Sequence, residues 1–479
     1  MGRSEISLKR SIHGQEAHLC IVRVWLLSIC LALSLGAPAL QAQERLDLKE
    51  VRSARLSRLL SDLRSGHRNA VQEFWSEVEK QGTPLIEPIS GDASHFWVTF
   101  LWRAKEPVKN VLLVSGLTNE SYAREVLSQN LMSLLPGTDI WYRTYRVRSD
   151  ARFTYLLSID DSLVPSDDEK NPDEREAKFR SDPLNPRHAA GEGSQSLVEL
   201  PEAPLQDWWL PKSGTPKGEL QSFQIQSHML NSERKICVFT PAGYQPGSRP
   251  YHLLILMDAE FYTQDVPTPV ILDNLLAGAK ISPTVAVFIG NLPANQPATR
   301  TTELSCYHPF TQFLAEELLP WIHKRFNVTS LPSETVIAGA SRGGTAAACA
   351  ALEHSELFGN VGAQSGFFVY KDRNWFKNAD PGIAPDAESQ EEMAWEQYGL
   401  VMQRFANAPR VEIRFYLDVG KFENNFHPSP LIASRHLRDV LTAKGYEVKY
   451  QEFAGHHSFV NWRGTFPDAL IYLLRGAGS

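Results

Sequence analysis

One ten-residue string restricts the possible folds of this chain more than any other feature. It reads Thr-Val-Ile-Ala-Gly-Ala-Ser-Arg-Gly-Gly over 335–344, and an alanine-rich stretch follows it. Small residues two positions before and after Ser341 permit a strained turn between a strand and a helix. Such a turn lifts the serine hydroxyl above the sheet edge and directs the helix N-terminus at it. The string predicts that Ser341 is a nucleophile in an α/β protein. A glycine-rich turn with an inert serine is the alternative.

Short apolar runs recur through the C-terminal half, and helical segments at 310–326 and 343–354 separate some of them. Continuous apolar strands that alternate with helices indicate a largely parallel sheet covered on both faces. Pro320 should kink the first of these helices. The seven runs lie at 236–240, 253–257, 284–289, 335–339, 360–364, 411–417 and 447–453.

A nucleophilic serine needs a base, and the base needs an acid that orients it. Asp418 directly follows the sixth predicted strand, and His456 comes shortly after the seventh. Because the carboxyl ends of parallel strands meet at one sheet edge, both side chains are expected beside Ser341. We predict that His456 is the general base and Asp418 the acid. The rival candidates for these two roles are His457 and Glu423.

The oxyanion of such a reaction needs two backbone N–H donors. We predict that one belongs to Arg342, next to the serine, and assign the other to Ala259, in the loop after the strand 253–257. Asp258 and Glu260 flank Ala259 and could instead bind a metal ion. Because no histidines cluster with them, we predict that the chain has no metal site.

The region before residue 220 differs in character. Residues 46–80 repeat apolar side chains at helical spacing, with Gly66 between two predicted helices. Residues 95–160 are rich in aromatic and β-branched residues with turn residues between some runs, which indicates a small Ig-like β-sandwich. The acidic stretch 160–181 is interpreted as a solvated loop, since it lacks the spacing and the glycine of a calcium loop.

The length of 479 residues suggests two or three domains. Gly, Pro and Ser in 191–219 indicate a linker, which Trp208 and Trp209 should pin down. The predicted division is a signal peptide at 1–42, an N-terminal helical segment at 43–90, a β-sandwich domain at 91–190, the linker at 191–219 and an α/β-hydrolase catalytic domain at 220–479.

The first residues have the pattern of a secretory signal. Basic residues precede a compact apolar run at 24–35, and small residues follow it as far as Ala42. The run is too short to span a bilayer comfortably, so cleavage is preferred over an uncleaved membrane anchor. We predict a periplasmic or secreted protein that does not associate with a membrane after cleavage. The mature chain would keep Cys237, Cys306 and Cys349, and this odd number leaves at least one thiol unpaired.

Composition excludes several classes of protein. The apolar fraction of 43% and the charged fraction of 22% are those of a globular protein, not of a disordered or fibrous one. A net charge of −7 disfavours a protein that coats nucleic acid, because such proteins need a basic surface. We therefore expect no nucleic-acid partner.

Several strings resemble the enterochelin (ferric enterobactin) esterase family, within the esterase-D-like α/β-hydrolases. They include Arg300-Thr-Thr-Glu-Leu-Ser-Cys306, the serine string and Ala363-Gln-Ser-Gly366 in the C-terminal half. Further similar strings lie, in order, at 98–103, 135–141, 182–186, 254–261, 317–320, 455–456 and 462–464. The resemblance therefore extends over both halves, from about residue 95 to 475.

This resemblance implies hydrolysis of the ester bonds of a cyclic trilactone of dihydroxybenzoyl-serine. Iron would arrive only as part of the substrate, and no cofactor is expected. On matching positions, Ser341, His456 and Asp418 would be nucleophile, base and acid. Arg300 would face the anionic catecholates, although a salt bridge with Glu303 is an alternative for it. Further substrate-binding candidates are Trp462, which could equally be core packing, and Arg463.

Three departures from the family leave the substrate open. His457 stands where the family usually has an acidic residue, Ala259 stands where it usually has glycine, and many two-domain members carry no export signal. The alternatives are a feruloyl or acyl-sugar esterase on the same scaffold and a non-catalytic siderophore-binding protein.

Overall fold

The computed structural model describes residues 51–118, 124–165, 168–189, 194–292, 300–368, 399–425 and 429–475. The chain divides into two compact units, Met1–Val51 and Arg52–Ser479. The predicted signal peptide lies outside the described residues. Within the described ranges, no helix is long and apolar enough to cross a membrane.

Two helices precede the first sheet, as the leucine and aromatic spacing predicts. They are α1 (Ala54–Arg64) and α2 (Ala70–Gln81). The Ser53 hydroxyl caps α1 by accepting a hydrogen bond from the N–H of Leu56 at 3.2 Å. Gly66, between the helices, has a φ of 82°, a conformation that glycine adopts without steric cost.

Seven strands of the described residues follow and form two antiparallel sheets. The strands are β1 (Leu85–Ile89), β2 (Asp92–Arg103), β3 (Val111–Ser115), β4 (Ser133–Leu134), β5 (Ile140–Arg148), β6 (Arg152–Ile159) and β7 (Ser196–Glu199). The sheet orders are β1-β2-β5-β4 and β3-β6-β7. Side chains of both sheets, among them Phe100, Leu113 and Phe153, share one buried apolar cluster. Two short helices, α3 (Arg124–Asn130) and α4 (Pro172–Glu176), accompany these strands.

The acidic stretch after β6 is solvated only in part. Asp161 is buried and accepts two hydrogen bonds from Arg175, at 2.6 Å and 3.1 Å, and a third from the Ser158 hydroxyl at 2.7 Å. The loop interpretation was therefore wrong for Asp161, because its carboxylate is paired with a buried guanidinium.

The larger sheet has eight strands in the order β15-β14-β13-β12-β10-β11-β9-β8. Strands β8 and β9 pair antiparallel with each other, β9 pairs antiparallel with β11, and the remaining neighbours are parallel. All residues of the central β10, β11 and β12 are buried, as expected for a sheet covered on both faces. These eight are β8 (Glu219–Ser227), β9 (Ser232–Thr240), β10 (His252–Met257), β11 (Thr284–Ile289), β12 (Thr335–Ala340), β13 (Asn360–Gln364), β14 (Arg414–Gly420) and β15 (Glu447–Phe453).

Nine helices of the described ranges accompany this sheet, so the fold is mixed α/β, in agreement with the coarse prediction. They are α5 (Ala259–Thr263), α6 (Thr268–Ala277), α7 (Arg300–Glu303), α8 (His308–Gln312), α9 (Leu319–Arg325), α10 (Arg342–Glu353), α11 (Leu400–Asn407), α12 (Pro430–Ala443) and α13 (Phe459–Leu473).

Two local details bear on the sequence predictions. The helix predicted at 310–326 is interrupted by a π-helical turn, Phe313–Leu318, just before Pro320. Proline has no N–H to donate within a helix, so the predicted kink takes the form of this wider turn. The strand predicted at 411–417 is β14, which begins and ends three residues later. Asp418 therefore lies inside a strand and not in the loop after it.

The linker region and the cysteines are also fixed by long-range contacts. The Asn274 side chain donates hydrogen bonds to the carbonyls of Trp208 and Leu210, at 2.7 Å and 2.9 Å, which holds the predicted linker against the larger sheet's helices. Cys306, shortly after α7, forms a disulfide with Cys349 in α10, and Cys237 is a buried free thiol. The expected unpaired thiol is thus Cys237.

Candidate active site

Ser341 occupies a strained turn between β12 and α10. Its φ of 57° and ψ of −123° lie outside the regions that non-glycine residues usually adopt. Gly339 makes this turn possible, because a Cβ atom at that position would come within 2.6 Å of the backbone carbon of Gly343. Backbone strain of this kind persists only where the surrounding structure enforces it, and it is typical of a nucleophile elbow.

A cavity of about 390 Å³ opens beside Ser341. Four of its lining residues are Phe, Tyr or Trp, and its polar residues come from several distant chain segments. The lining residues are Gln195, Asp258, Phe261, Tyr262, Val266, Arg300, Ala340, Ser341, His457, Ser458, Phe459 and Trp462. Size and lining are those of a small-molecule site.

His457 is the histidine in this cavity, and it contacts an acid. Its Nδ1 atom lies 2.8 Å from Oε2 of Glu423. Glu423 is completely buried in the short turn Lys421–Asn425 that follows β14. Because Nδ1 faces Glu423, Nε2 is the ring nitrogen that can serve a serine hydroxyl.

Two donors hold the other oxygen of Glu423. Its Oε1 atom accepts hydrogen bonds from the N–H of Gly420 at 2.8 Å and from the Ser365 hydroxyl at 2.6 Å. Ser365 in turn accepts a hydrogen bond from Nε1 of Trp462 at 2.9 Å. This network orients the carboxylate so that Oε2 faces the imidazole.

His456 is directed away from this cavity. It is only 2% exposed, and its Nε2 atom lies 3.2 Å from the Thr154 hydroxyl of β6. Its Nδ1 atom lies 3.5 Å from the side-chain amide of Asn461. The structure therefore does not bring His456 to the cavity of Ser341; the rival candidate His457 lines that cavity together with Ser341.

Asp418 is also absent from the cavity lining. It is 1% exposed within β14, and this burial raises its pKa to about 7. Polar contacts with Thr465 and Gln364 offset the effect of burial only in part, and the nearby charge of Glu423 adds to it. The rival candidate Glu423, not Asp418, contacts a histidine of the cavity. The sequence pattern placed the end of β14 three residues too early, and it therefore favoured Asp418 over Glu423.

Arg300 lines the cavity but is already paired. Its guanidinium binds both carboxylate oxygens of Asp258, with Nε 2.5 Å from Oδ1 and Nη2 2.8 Å from Oδ2. The salt bridge considered between Arg300 and Glu303 is wrong, because Glu303 pairs with Arg234 inside the protein. A bidentate partner fixes the plane of the Arg300 guanidinium at the cavity wall.

The two predicted oxyanion donors both begin helices. Arg342 is the first residue of α10 and Ala259 the first of α5, so the N–H groups of both have no acceptor within their own helix. Asp258, just before Ala259, adopts a left-handed conformation with a φ of 59°. The Arg342 side chain turns aside to the Ser305 hydroxyl, at 3.0 Å.

Trp462 and Arg463 have different surroundings. The Trp462 ring stands edge-on to the His457 ring, with centroids 4.8 Å apart, and lines the cavity. Arg463 does not line it; its guanidinium lies 4.0 Å from the ring centroid of Trp209 and donates to Gln206. Helix α13 directs these adjacent side chains to opposite sides, so the prediction that both face substrate does not fit the geometry of Arg463.

Several residues in or beside the cavity were missed by the sequence reasoning. Ser365 and Phe261 lie in strings that were quoted only for their resemblance, Ala363–Gly366 and 254–261, and Phe459 lies in no quoted string. No His, Cys, Asp or Glu cluster able to hold a metal ion occurs among the described residues. Asp258 and Glu260, considered as a metal pair, instead contact Arg300 and Asn291.

Comparisons with known proteins identify the family of this chain. A family model described as putative esterase matches residues 227–473, and one described as enterochelin esterase, N-terminal, matches 97–209. An iron(III) enterobactin esterase of Dickeya dadantii is 27% identical over 88% of this chain and 98% of its own. An iron(III) salmochelin esterase of Escherichia coli O6:H1 is also 27% identical, over the same shares of the two chains. The enterobactin esterase of Shigella flexneri, crystallised in the presence of enterobactin, is 25% identical with a TM-score of 0.63, over 84% of this chain and 97% of its own.

The fold and the family model together define a carboxylic ester hydrolase of the putative esterase family, to which this chain belongs. The match at its N-terminal region and the relatives over most of its length place it with the enterochelin esterases.

Proposed function

We propose that this chain is a serine esterase that hydrolyses the ester bonds of an enterobactin-like catecholate trilactone and so releases iron. The observation that carries the proposal is the contact between His457 and Glu423 beside the cavity that contains Ser341. Two relatives of similar length are an iron(III) enterobactin esterase and an iron(III) salmochelin esterase, which supports the choice of substrate.

In the first step, Ser341 Oγ attacks the lactone carbonyl carbon and His457 Nε2 accepts the hydroxyl proton. Glu423 accepts the hydrogen bond of Nδ1–H and stabilises the imidazolium by its charge. The N–H groups of Arg342 and Ala259 bind the carbonyl oxygen as it becomes an oxyanion. These roles replace His456 and Asp418, the initial candidates for base and acid.

In the second step, the tetrahedral intermediate collapses and the ester C–O bond breaks. The imidazolium of His457 gives its proton to the leaving hydroxyl of the neighbouring serine unit, which leaves an acyl-enzyme on Ser341. Water then attacks the acyl carbon, loses a proton to His457 Nε2 and releases the carboxylic acid, while Ser341 recovers its proton.

The aromatic cavity wall suits a dihydroxybenzoyl group. Phe261, Phe459 and Trp462 offer ring faces and edges at which an aryl group can pack. Arg300 presents donors to the catechol oxygens from a fixed plane. A cavity of about 390 Å³ is comparable with one aryl arm of a trilactone and not with the whole molecule.

The chemistry proposed here uses only side chains, backbone N–H groups and water. Iron enters as part of the substrate, and opening the trilactone ring weakens its chelate. We further propose that the two N-terminal sheets form a small sandwich domain and that the larger sheet is an α/β-hydrolase domain.

Export to the periplasm or outside the cell is part of the proposal. The disulfide between Cys306 and Cys349 supports it, since such bonds persist mainly in oxidising compartments. Fractionation of cells, with N-terminal sequencing of the purified protein, tests it: a chain that begins after Ala42 in the exported fraction is expected, and a cytoplasmic protein with an intact N-terminus would contradict it.

Product analysis tests the substrate. Purified protein is incubated with iron-free and ferric catecholate trilactones, with feruloyl esters and with an acylated sugar, and the products are separated by chromatography. Linear dihydroxybenzoyl-serine oligomers are the expected products. Release of ferulate or of free sugar without trilactone cleavage would favour the alternative esterase.

Ser341→Ala is the control for catalysis. It removes only the hydroxyl, and should abolish both turnover and covalent labelling by a fluorophosphonate. A wild-type protein that binds the trilactone but is neither labelled nor active would be the non-catalytic binding protein.

A further inference from the structure

Strand β6 of the N-terminal region contacts the chain segments that carry both His457 and Glu423. The N–H of Arg152 donates a hydrogen bond to the carbonyl of Ala454 at 2.9 Å, just before the two histidines. The Phe153 ring packs edge-on to Phe422, the residue before Glu423, with centroids 6.1 Å apart. Three consecutive residues of one strand, 152–154, therefore contact both segments.

Thr154 makes the most specific of these contacts. Its hydroxyl lies 3.2 Å from Nε2 of His456, and both side chains are buried. Gly116 closes the other side of this imidazole, because a Cβ atom at that position would overlap the ring. The N–H of Gly116 bonds the carbonyl of Thr154 at 3.2 Å, so the strand and the glycine form one continuous support.

The two supported segments are also joined to each other. The N–H of Phe422 donates to the carbonyl of Gly455 at 3.0 Å. Asn461, in α13, donates to the carbonyl of His456 at 3.1 Å, so that His456 is fixed at its backbone and at its ring. The side chain of the next residue, His457, faces the cavity, and its orientation follows from where His456 is held.

From these contacts we infer that β6 is a positioning element for the reaction, and that Thr154, acting through His456, holds His457 in register with Glu423 and Ser341. The inference uses the roles assigned to His457 and Glu423 in the proposed function. It gives the N-terminal region a part in catalysis: neither Thr154 nor His456 lines the cavity, so both act through the residues they hold.

The test compares two isosteric substitutions in the full-length protein. Thr154→Val removes the hydroxyl that faces His456. Thr99→Val removes an equally buried hydroxyl in β2, whose partner at 2.9 Å is Thr144 and which contacts neither catalytic segment. Steady-state hydrolysis of an aryl ester and thermal unfolding are measured for both variants and for Thr154→Ser, which keeps the hydroxyl.

Thr154→Val is expected to lower kcat by about ten-fold with KM within about two-fold of wild type, since the loss falls on geometry and not on binding. Thr99→Val should leave kcat within about two-fold, and Thr154→Ser should restore it to the same range. Equal losses in Thr154→Val and Thr99→Val would overturn the inference, as would a change confined to KM.

Failure of the proposed function would appear differently. A wild-type protein without any ester hydrolysis would refute the esterase itself, whereas an active wild type with an unaffected Thr154→Val refutes only the positioning role. If Thr154→Val does not fold, Gly116→Ser and Thr154→Ser are compared instead: a folded Gly116→Ser variant that keeps wild-type kcat would refute support of His456 by this strand.

Discussion

The Nδ1 atom of His457 lies 2.8 Å from Oε2 of Glu423, and this contact joins two segments that are 34 residues apart in the chain. Oε1 of the same carboxylate accepts two hydrogen bonds, from Gly420 and Ser365. A carboxylate held by two donors on one oxygen presents the other in a fixed direction. The proposed acid is thus oriented by its own buried surroundings.

Exchange of each carboxylate for its amide separates the two candidate acids. Glu423→Gln should lower kcat by about 10³-fold or more, because an amide no longer stabilises the imidazolium and can hold the wrong tautomer. Asp418→Asn should keep kcat within about ten-fold, since Asp418 does not reach the cavity. Steady-state kinetics on an aryl ester measures both. A larger loss in Asp418→Asn than in Glu423→Gln would return the role of acid to Asp418.

The two adjacent histidines are distinguished in the same way. His457→Gln should reduce kcat by about 10³-fold or more, because the proton of the serine hydroxyl then has no acceptor. His456→Gln should cost only about ten-fold, since glutamine can still bond the Thr154 hydroxyl. Fluorophosphonate labelling rates give an independent readout. The assignment fails if labelling is lost in His456→Gln and retained in His457→Gln.

The Ser365 hydroxyl should contribute to catalysis, because it donates a hydrogen bond to Glu423. Ser365→Ala removes one of the two donors that hold Glu423, and we expect a loss of about ten-fold in kcat. Ser434→Ala is the matched control, because Ser434 is also fully buried and its hydroxyl has no hydrogen-bond partner in the part of the chain that the structure describes. Indistinguishable kinetics in the two variants would show that Ser365 does not orient the acid.

The raised pKa of Asp418 predicts a pH-dependent stability. An aspartate in an unfolded chain has a pKa of about 3.9, and burial raises the pKa of Asp418 to about 7 in the folded protein. Between these values the folded state binds more protons, so the contribution of this group to the free energy of unfolding falls as the pH rises, by about 4 kcal/mol in all. The stabilising contribution of the Asp418 carboxyl is fully present only below a pH of about 3.9, the pKa of an aspartate in an unfolded chain.

Urea unfolding at pH 5 and pH 8 measures this effect. Asp418→Asn lacks the titrating group, so its stability relative to wild type should be higher at pH 8 than at pH 5. Asp439→Asn, at a side chain that is 65% exposed, should show no such trend. A difference between wild type and Asp418→Asn that stays constant over this pH range would contradict a raised pKa at Asp418.

Local patterns predicted the strained strand-to-helix turn at Ser341 correctly, because that turn depends on the small residues beside it. The choice between His456 and His457 could not be made in the same way. Adjacent residues differ only in the direction of their side chains, and that direction depends on Thr154, which lies 302 residues before His456. The sequence patterns likewise did not show that Trp462 lines the cavity and that Arg463 does not.

Glu423, the acid of the proposed mechanism, was ranked below Asp418 for a different reason. Apolar residues of β14 begin before the strand does, so the strand end was placed three residues too early and Asp418 seemed to follow it. Glu423 lies in a short turn after the strand, and only the donors from Gly420 and Ser365 show why a buried carboxylate is stable there. Sequence patterns locate strands well and their final residues poorly.

The link between Cys306 and Cys349 spans 43 positions of the chain and fastens the segment after Arg300 to the helix that starts beside Ser341. The chain segments that carry Arg300 and Ser341, two residues of the cavity lining, are thus covalently linked. Protein produced in a reducing cytosol would carry two separate thiols at this place, and its Arg300 segment would be anchored by non-covalent packing alone. Preparations from the two compartments would therefore differ in the rigidity of the very wall that receives the substrate, although their amino-acid sequence is identical.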